Sequence, residues 1–141
     1  MTTSAVRREP RFVFLTDAPS SADEGRFGWR LVAANNRPLG RGISVATSLD
    51  ACRASVWALH TRVAELTTAV ASDDGRGMWF WRLRLADEPA AVSARPYLRR
   101  VECLRGLAQF VAALRASDPV EGVVRHYGPH ALRGYETAVA S

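Results

Sequence analysis

The sequence predicts an α+β fold: two tandem β-β-β-α-β units that form one mainly antiparallel sheet with two helices packed on one face. A repeat, a period-two stretch in each copy and a period-3.6 stretch after it point there. Residues 25–31 read GRFGWRL, and a shift of 52 positions sets Gly25, Phe27, Trp29, Arg30 and Leu31 against Gly77, Trp79, Trp81, Arg82 and Leu83. Ala34 and Asn35 then match Ala86 and Asp87; with one residue deleted, Cys52, Val56, Leu59 and Val63 match Cys103, Leu107, Phe110 and Leu114. The 141 residues divide accordingly into a disordered start at 1–10, a first unit at 11–71, a second at 72–127 and a tail at 128–141.

The first strand is expected over Arg11–Thr16, and a loop rich in Asp, Gly and Ser follows over Asp17–Gly25. Phe27, Trp29, Leu31 and Ala33 alternate with Arg26, Gly28, Arg30 and Val32, as a strand with one apolar face requires. Asn35-Asn36-Arg37-Pro38 is turn chemistry, and a third strand is expected over Leu39–Val45. Cys52, Val56, Leu59 and Val63 form one apolar stripe of an amphipathic helix, with Thr47 and Asp50 as a capping box at its start. Leu66–Ala71 serves either as the tail of the first copy or as the head of the second, and the loop Ser72–Gly77 follows.

In the second copy Trp79, Trp81, Leu83 and Leu85 alternate with Phe80, Arg82 and Arg84, Asp87-Glu88-Pro89 makes the turn, and Ala90–Ala94 is the next strand. Cys103, Leu107, Phe110 and Leu114 repeat the helical stripe. This helix has no capping side chain at Arg99 or Arg100, where positive charge opposes the helix dipole, and it ends before Ser117-Asp118-Pro119. Val120–Tyr127 reads as a last strand; in the tail, Leu132, Tyr135 and Val139 have helical spacing. A unit of this size buries at most about 60% of its unfolded surface, so the two must share a core. Both helices are expected over Trp29, Leu31, Trp81 and Leu83, leaving Arg30, Phe80, Arg82 and Arg84 on the opposite face.

The residues GWRLVAANNRPLG with TSLDACRASVWAL, and WFWRLRLADEPAAVSARPYLRRVECLRGLAQF, resemble the YegP-like proteins. These are small bacterial and archaeal proteins of unknown function made of one or two such units. The resemblance spans about residues 11–127 and is closer in the second copy, through Ser93, Tyr97, Cys103 and Gly106-Leu107. The first copy has Ser55 in place of the Gly, Val45 in place of the Tyr, and a longer insert before Gly25. The resemblance implies one joint sheet, with exchange of terminal strands between the units left open. It also implies a monomer with internal pseudo-twofold symmetry and, because the family has no assigned activity, almost nothing about function.

Composition narrows the classes further. All 19 basic residues are arginine, which against 14 carboxylates gives a net charge of +5. Lysine is absent, Ile occurs once and Asn twice, the signature of G+C-rich coding DNA, so the arginine excess is partly a codon effect. No run of about 18 apolar residues is present to span a bilayer. The run Phe12–Leu15 behind Arg7 and Arg8 is too short for a secretion signal, which makes the cytoplasm the expected compartment.

The chemistry-bearing residues are dispersed. Cys52 and Cys103 sit on inner helix stripes, where a thiol acts as a small hydrophobe. His60 reads as a surface histidine, and His126 and His130 are separated by Gly128 and Pro129, with no third ligand to make a metal site. Asp23-Glu24, Asp73-Asp74 and Asp87-Glu88 are adjacent turn charges rather than convergent acid–base pairs, and Gly40-Arg41-Gly42 lacks the third glycine of a phosphate cradle. The sequence therefore supports no enzyme, catalytic residue, metal or cofactor. It is read as a non-enzymatic interaction or regulatory module acting on a protein partner through an exposed strand edge. The alternative is a single-stranded nucleic-acid binder using Arg30, Phe80, Arg82 and Arg84, since guanidinium groups pair with phosphate and an exposed ring stacks on bases.

Overall fold

A computed structural model describes residues 9–17, 24–73, 75–126, 132 and 135. Its strands are Arg11–Thr16 (β1), Glu24–Val32 (β2), Pro38–Gly42 (β3), Ala46–Ser48 (β4), Thr67–Ser72 (β5), Trp79–Leu85 (β6), Glu88–Ser93 (β7) and Val123–His126 (β8). The helices are Leu49–Thr61 (α1) and Arg100–Ala116 (α2), with single 3-10 turns at Val63–Glu65 and Pro119–Glu121. The α+β class holds, and the sheet is mixed: every described pairing is antiparallel except that of β1 with β8.

The strand order is β5-β6-β7-β3-β2-β1-β8, with β4 paired to β2 off that path. β3 and β7 join at the centre through Gly40 opposite Ser93 and Arg41 opposite Val92. The two flanking hairpins share one irregularity: the β2–β3 register shifts between Leu31 and Val32, and the β6–β7 register shifts between Leu83 and Arg84. The last strand does cross the molecule, for β8 follows α2 yet pairs with β1, while β5 pairs with β6.

Both helices cover the same sheet face. Phe110 of α2 lies between Trp81, 4.7 Å away by ring centroids, and Trp29, at 6.3 Å. Leu31, Leu83, Cys52, Val56, Leu59, Cys103, Leu107 and Leu114 complete this core. Gly40 is the sheet residue beneath it: a Cβ there would come within 2.5 Å of both Trp81 and Phe110, so the absence of a side chain sets how closely α2 approaches.

Four local expectations are corrected. The cap of α1 is Ser48 rather than Thr47; its Oγ accepts from the Ala51 amide at 3.0 Å, because the chain stays extended one residue further in β4. Leu39–Val45 is strand only to Gly42, since the backbone turns there to send Ala46 back to Phe27. Val120–Tyr127 opens with the 3-10 turn at Pro119–Glu121, where the Asp118 carboxylate accepts from the Val120 amide, and the strand begins at Val123. His60 is no surface histidine: it is half-buried, and its Nδ1 donates to the Leu114 carbonyl at 2.8 Å, tying α1 to α2. Most of 1–10 and of the 128–141 tail, including His130 and Val139, lies outside the described residues, as does the His126 side chain.

Candidate functional site

The outer face of the sheet, opposite the helices, is built by the odd–even alternation of its strands. Pairing places Val13 beside Arg30, Arg30 beside Arg41, Arg41 beside Val92, Val92 beside Arg82 and Arg82 beside Ala69. One row across six neighbouring strands thus carries Arg30, Arg41 and Arg82. Arg30 and Arg82 are three strand intervals apart, about 14 Å. Phe80 and Arg84 share the face with Arg82 on β6. Arg41 was not anticipated: it lies between Gly40 and Gly42, which offer no side chains from which to read an alternation.

This face is divided. Over its β1–β2 half a second apolar cluster forms from Val13, Leu15, Val32, Val45 and Leu132, with Tyr135 against it. Leu132 is 4% exposed. Tyr135 Oη donates to the Trp29 carbonyl at 2.9 Å, and the Arg41 guanidinium stacks 4.6 Å from the Tyr135 ring centre. Burial pushes the Tyr135 phenol up to about 12, against the pull of Arg41 and Arg30. The expectation of one uniformly open arginine face is corrected: C-terminal residues lie on the first half, and Arg30 is half-buried there.

Arg82 and Arg84 lie exposed on the other half. The Arg82 guanidinium sits 5.4 Å from the half-buried Phe80 ring, and Arg84 Nη2 donates to the Asp87 carbonyl at 2.6 Å. The structure therefore brings Phe80, Arg82 and Arg84 together and sets Arg30 apart under Tyr135. Beside them runs β5, Thr67–Ser72, the end strand of the sheet, with every residue exposed except the partly buried Val70. Its outward edge has no neighbour among the described residues, whereas the edge of β1 is closed by β8. It contains no charge and no proline, the usual protections of a free edge.

The cysteines are buried and unpaired by disulfide. Burial pushes the Cys52 thiol up to about 12 and raises Cys103 as well, opposite to what a nucleophile needs. Among the described residues no group of three or more His, Cys, Asp or Glu side chains is placed to hold a metal ion, and no helix is long and apolar enough to cross a membrane.

No protein-family model and no curated protein sequence matches the chain. Two solved structures do. The protein of unknown function yegP from E. coli matches over 89% of this chain and 98% of its own, with a TM-score of 0.56 at 16% identity. A UPF0339 protein from Shewanella oneidensis matches over 86% and 97%, with a TM-score of 0.55 at 13% identity. At such identities the likeness is one of fold, and the resemblance to the YegP-like proteins seen in the two Trp-Arg-Leu segments is met at that level: this chain has the fold of yegP.

Proposed function

We propose that the protein is a non-enzymatic interaction module that takes up an extended segment of a protein partner along the free edge of β5. One observation carries this reading: six consecutive residues of uncharged, proline-free strand end the sheet without a neighbour among the described residues, whereas the other end strand, β8, is only four residues long and includes Arg125 and His126. Main-chain hydrogen bonds would supply affinity, and the partner is expected to be an uncharged strand-forming segment. We further propose that the chain works as a cytoplasmic monomer with internal pseudo-twofold symmetry, a reading supported by the shared register shift of its two hairpins.

The test is a variant carrying Ala69→Glu and Ala71→Lys. Both positions lie on the outer face, where Glu would face Arg82 and Lys would face Phe80, so no like charges oppose each other across the β5–β6 pairing while the edge gains charge. A partner retained by the wild type should be lost by this variant, and β5 amides should exchange more slowly in the complex. Equal capture by both proteins would refute edge pairing. Exposed Arg82 and Arg84 beside Phe80 support a second reading, single-stranded nucleic-acid binding. It is tested by titrating a fluorescent oligonucleotide at low and moderate salt against Arg82→Ala/Arg84→Ala. A Kd weaker than about 0.1 mM at low salt would sink it.

A further inference from the structure

A groove of about 610 Å³ runs between α2 and the turn joining β2 to β3, within the size range of small-molecule sites. Its lining includes the apolar Leu39, Gly106 and Ala113, the arginines Arg37, Arg95 and Arg105, and one carboxylate, Glu102. None of the three arginines is ion-paired among the described residues, where the ion pairs are Arg26 with Asp17 and Arg62 with Glu65. Two arrangements give the groove shape. Tyr97 is fixed by a two-way backbone bridge to Trp79, and its ring lies on Gly106, where a Cβ would overlap Tyr97 Oη and come within 2.6 Å of Cζ. The Arg95 guanidinium stacks 4.9 Å from the Tyr97 ring centre, which orients it while leaving its N–H donors to a ligand.

The other half of the molecule supplies an internal control. A second groove of about 290 Å³ occupies the corresponding place between α1 and the β6–β7 turn. Pro38 opposite Val32 and Pro89 opposite Arg84 set the correspondence, which places Arg37 against Glu88, Arg95 against Ser44 and Arg105 against Ala54. The same frame sets Tyr97 against Ala46, correcting the expected match with Val45, because Tyr97 bridges Trp79 as Ala46 pairs with Phe27. Two grooves of one design thus differ in charge: three arginines and one Glu in the first, Glu88 and no arginine in the lining of the second. Codon bias would scatter arginine over both. The concentration in one groove calls for a local cause.

We infer that the α2 groove binds a small organic anion, a carboxylate or phosphate held by Arg37, Arg95 and Arg105 with an apolar body lying along Leu39 and Gly106. The anion would bridge guanidinium groups that lack a carboxylate of their own, and charge-assisted hydrogen bonds are the stronger kind. This site is separate from the β5 edge and from the Arg82 face, and does not depend on either proposal.

The probes are 2-naphthyl phosphate, 2-naphthoate and uncharged 2-naphthol, titrated into the full chain by calorimetry and by amide NMR shifts. One or both of the anions should bind, with shifts at Leu39, Tyr97 and Gly106, and the tighter one identifies the preferred headgroup. Naphthol should bind at least about tenfold more weakly, and Arg95→Gln or Arg105→Gln should weaken anion binding by about tenfold or more. Both arginines are exposed, so these variants keep the fold. The pair Arg82→Gln/Arg84→Gln, on the opposite sheet face, should leave affinity unchanged. The inference is overturned if both anions bind more weakly than about 1 mM. Equal loss in the Arg82/Arg84 variant, or no loss on changing Arg95 or Arg105, would also overturn it.

Discussion

Leu132 and Tyr135 should stabilise the fold measurably. Leu132 is nearly fully buried against Val13, Leu15, Val32 and Val45, and Leu→Ala changes in cores cost about 2–5 kcal/mol. This cluster lies at the surface and can relax, so Leu132→Ala is expected at the low end, about 2–3 kcal/mol. Tyr135→Phe removes a single hydrogen bond to the Trp29 carbonyl and should cost about 1 kcal/mol. Gly28→Ala attacks both contacts from the sheet side, since its Cβ would stand 2.7 Å from Tyr135 Cε2 and 3.0 Å from Leu132 Cδ2. With the segment displaced, Leu132→Ala has little left to remove, so the double variant should lose far less than the sum of the singles. Urea denaturation of the wild type and the four variants measures each term. A Leu132→Ala loss under about 0.5 kcal/mol, the range of ordinary surface substitutions, or an additive cycle would refute the contact.

Ala86 and Asp87 both have positive φ, 51° and 65°, in the two-residue turn joining β6 to β7. Ala86→Gly removes the side-chain penalty there and should raise stability by about 0.5–1 kcal/mol, read as a higher urea midpoint at unchanged slope. Gly106→Ala should cost about 1–3 kcal/mol by overpacking against Tyr97, and Tyr97→Leu in the same chain should recover part of the loss, as thermal denaturation will show. Stability should fall as pH rises from about 9 to 12. Cys52 and Tyr135 keep their protons in the fold up to about 12, whereas the unfolded chain releases them from 9 and 10, so alkali favours unfolding. Urea midpoints across that range test the sign, and a flat profile would contradict it.

The sequence was most legible where one periodicity ran uninterrupted. Phe80, Arg82 and Arg84 alternate with Trp81 and Leu83, and the structure sets the two groups on opposite faces. The stripes Cys52-Val56-Leu59 and Cys103-Leu107-Phe110-Leu114 are buried as spacing required. Legibility failed where contacts are long-range. Tyr135 meets Trp29 across 106 positions, and no local pattern encodes a single tyrosine reaching a backbone carbonyl. The three residues of β4 are too few to show a period, and Arg41 stood among glycines. The α2 groove draws its arginines from a turn, a loop and a helix, so it exists only after β3 and β7 have paired.

The arginine excess separates into three parts when placed on the fold. Arg30 and Arg41 lie beneath or beside Tyr135, where a planar guanidinium can serve as packing surface as well as charge. Arg82 and Arg84 lie exposed, satisfied locally by Phe80 and by the Asp87 carbonyl. Arg37, Arg95 and Arg105 differ, because all three line one concave surface against the single carboxylate of Glu102, while the corresponding concavity holds Glu88 and no arginine. Like charges brought together raise the free energy of the apo protein, and an anionic occupant would relieve that cost. A net charge of +5 therefore says little by itself; its uneven division between two matched grooves is what points to a ligand.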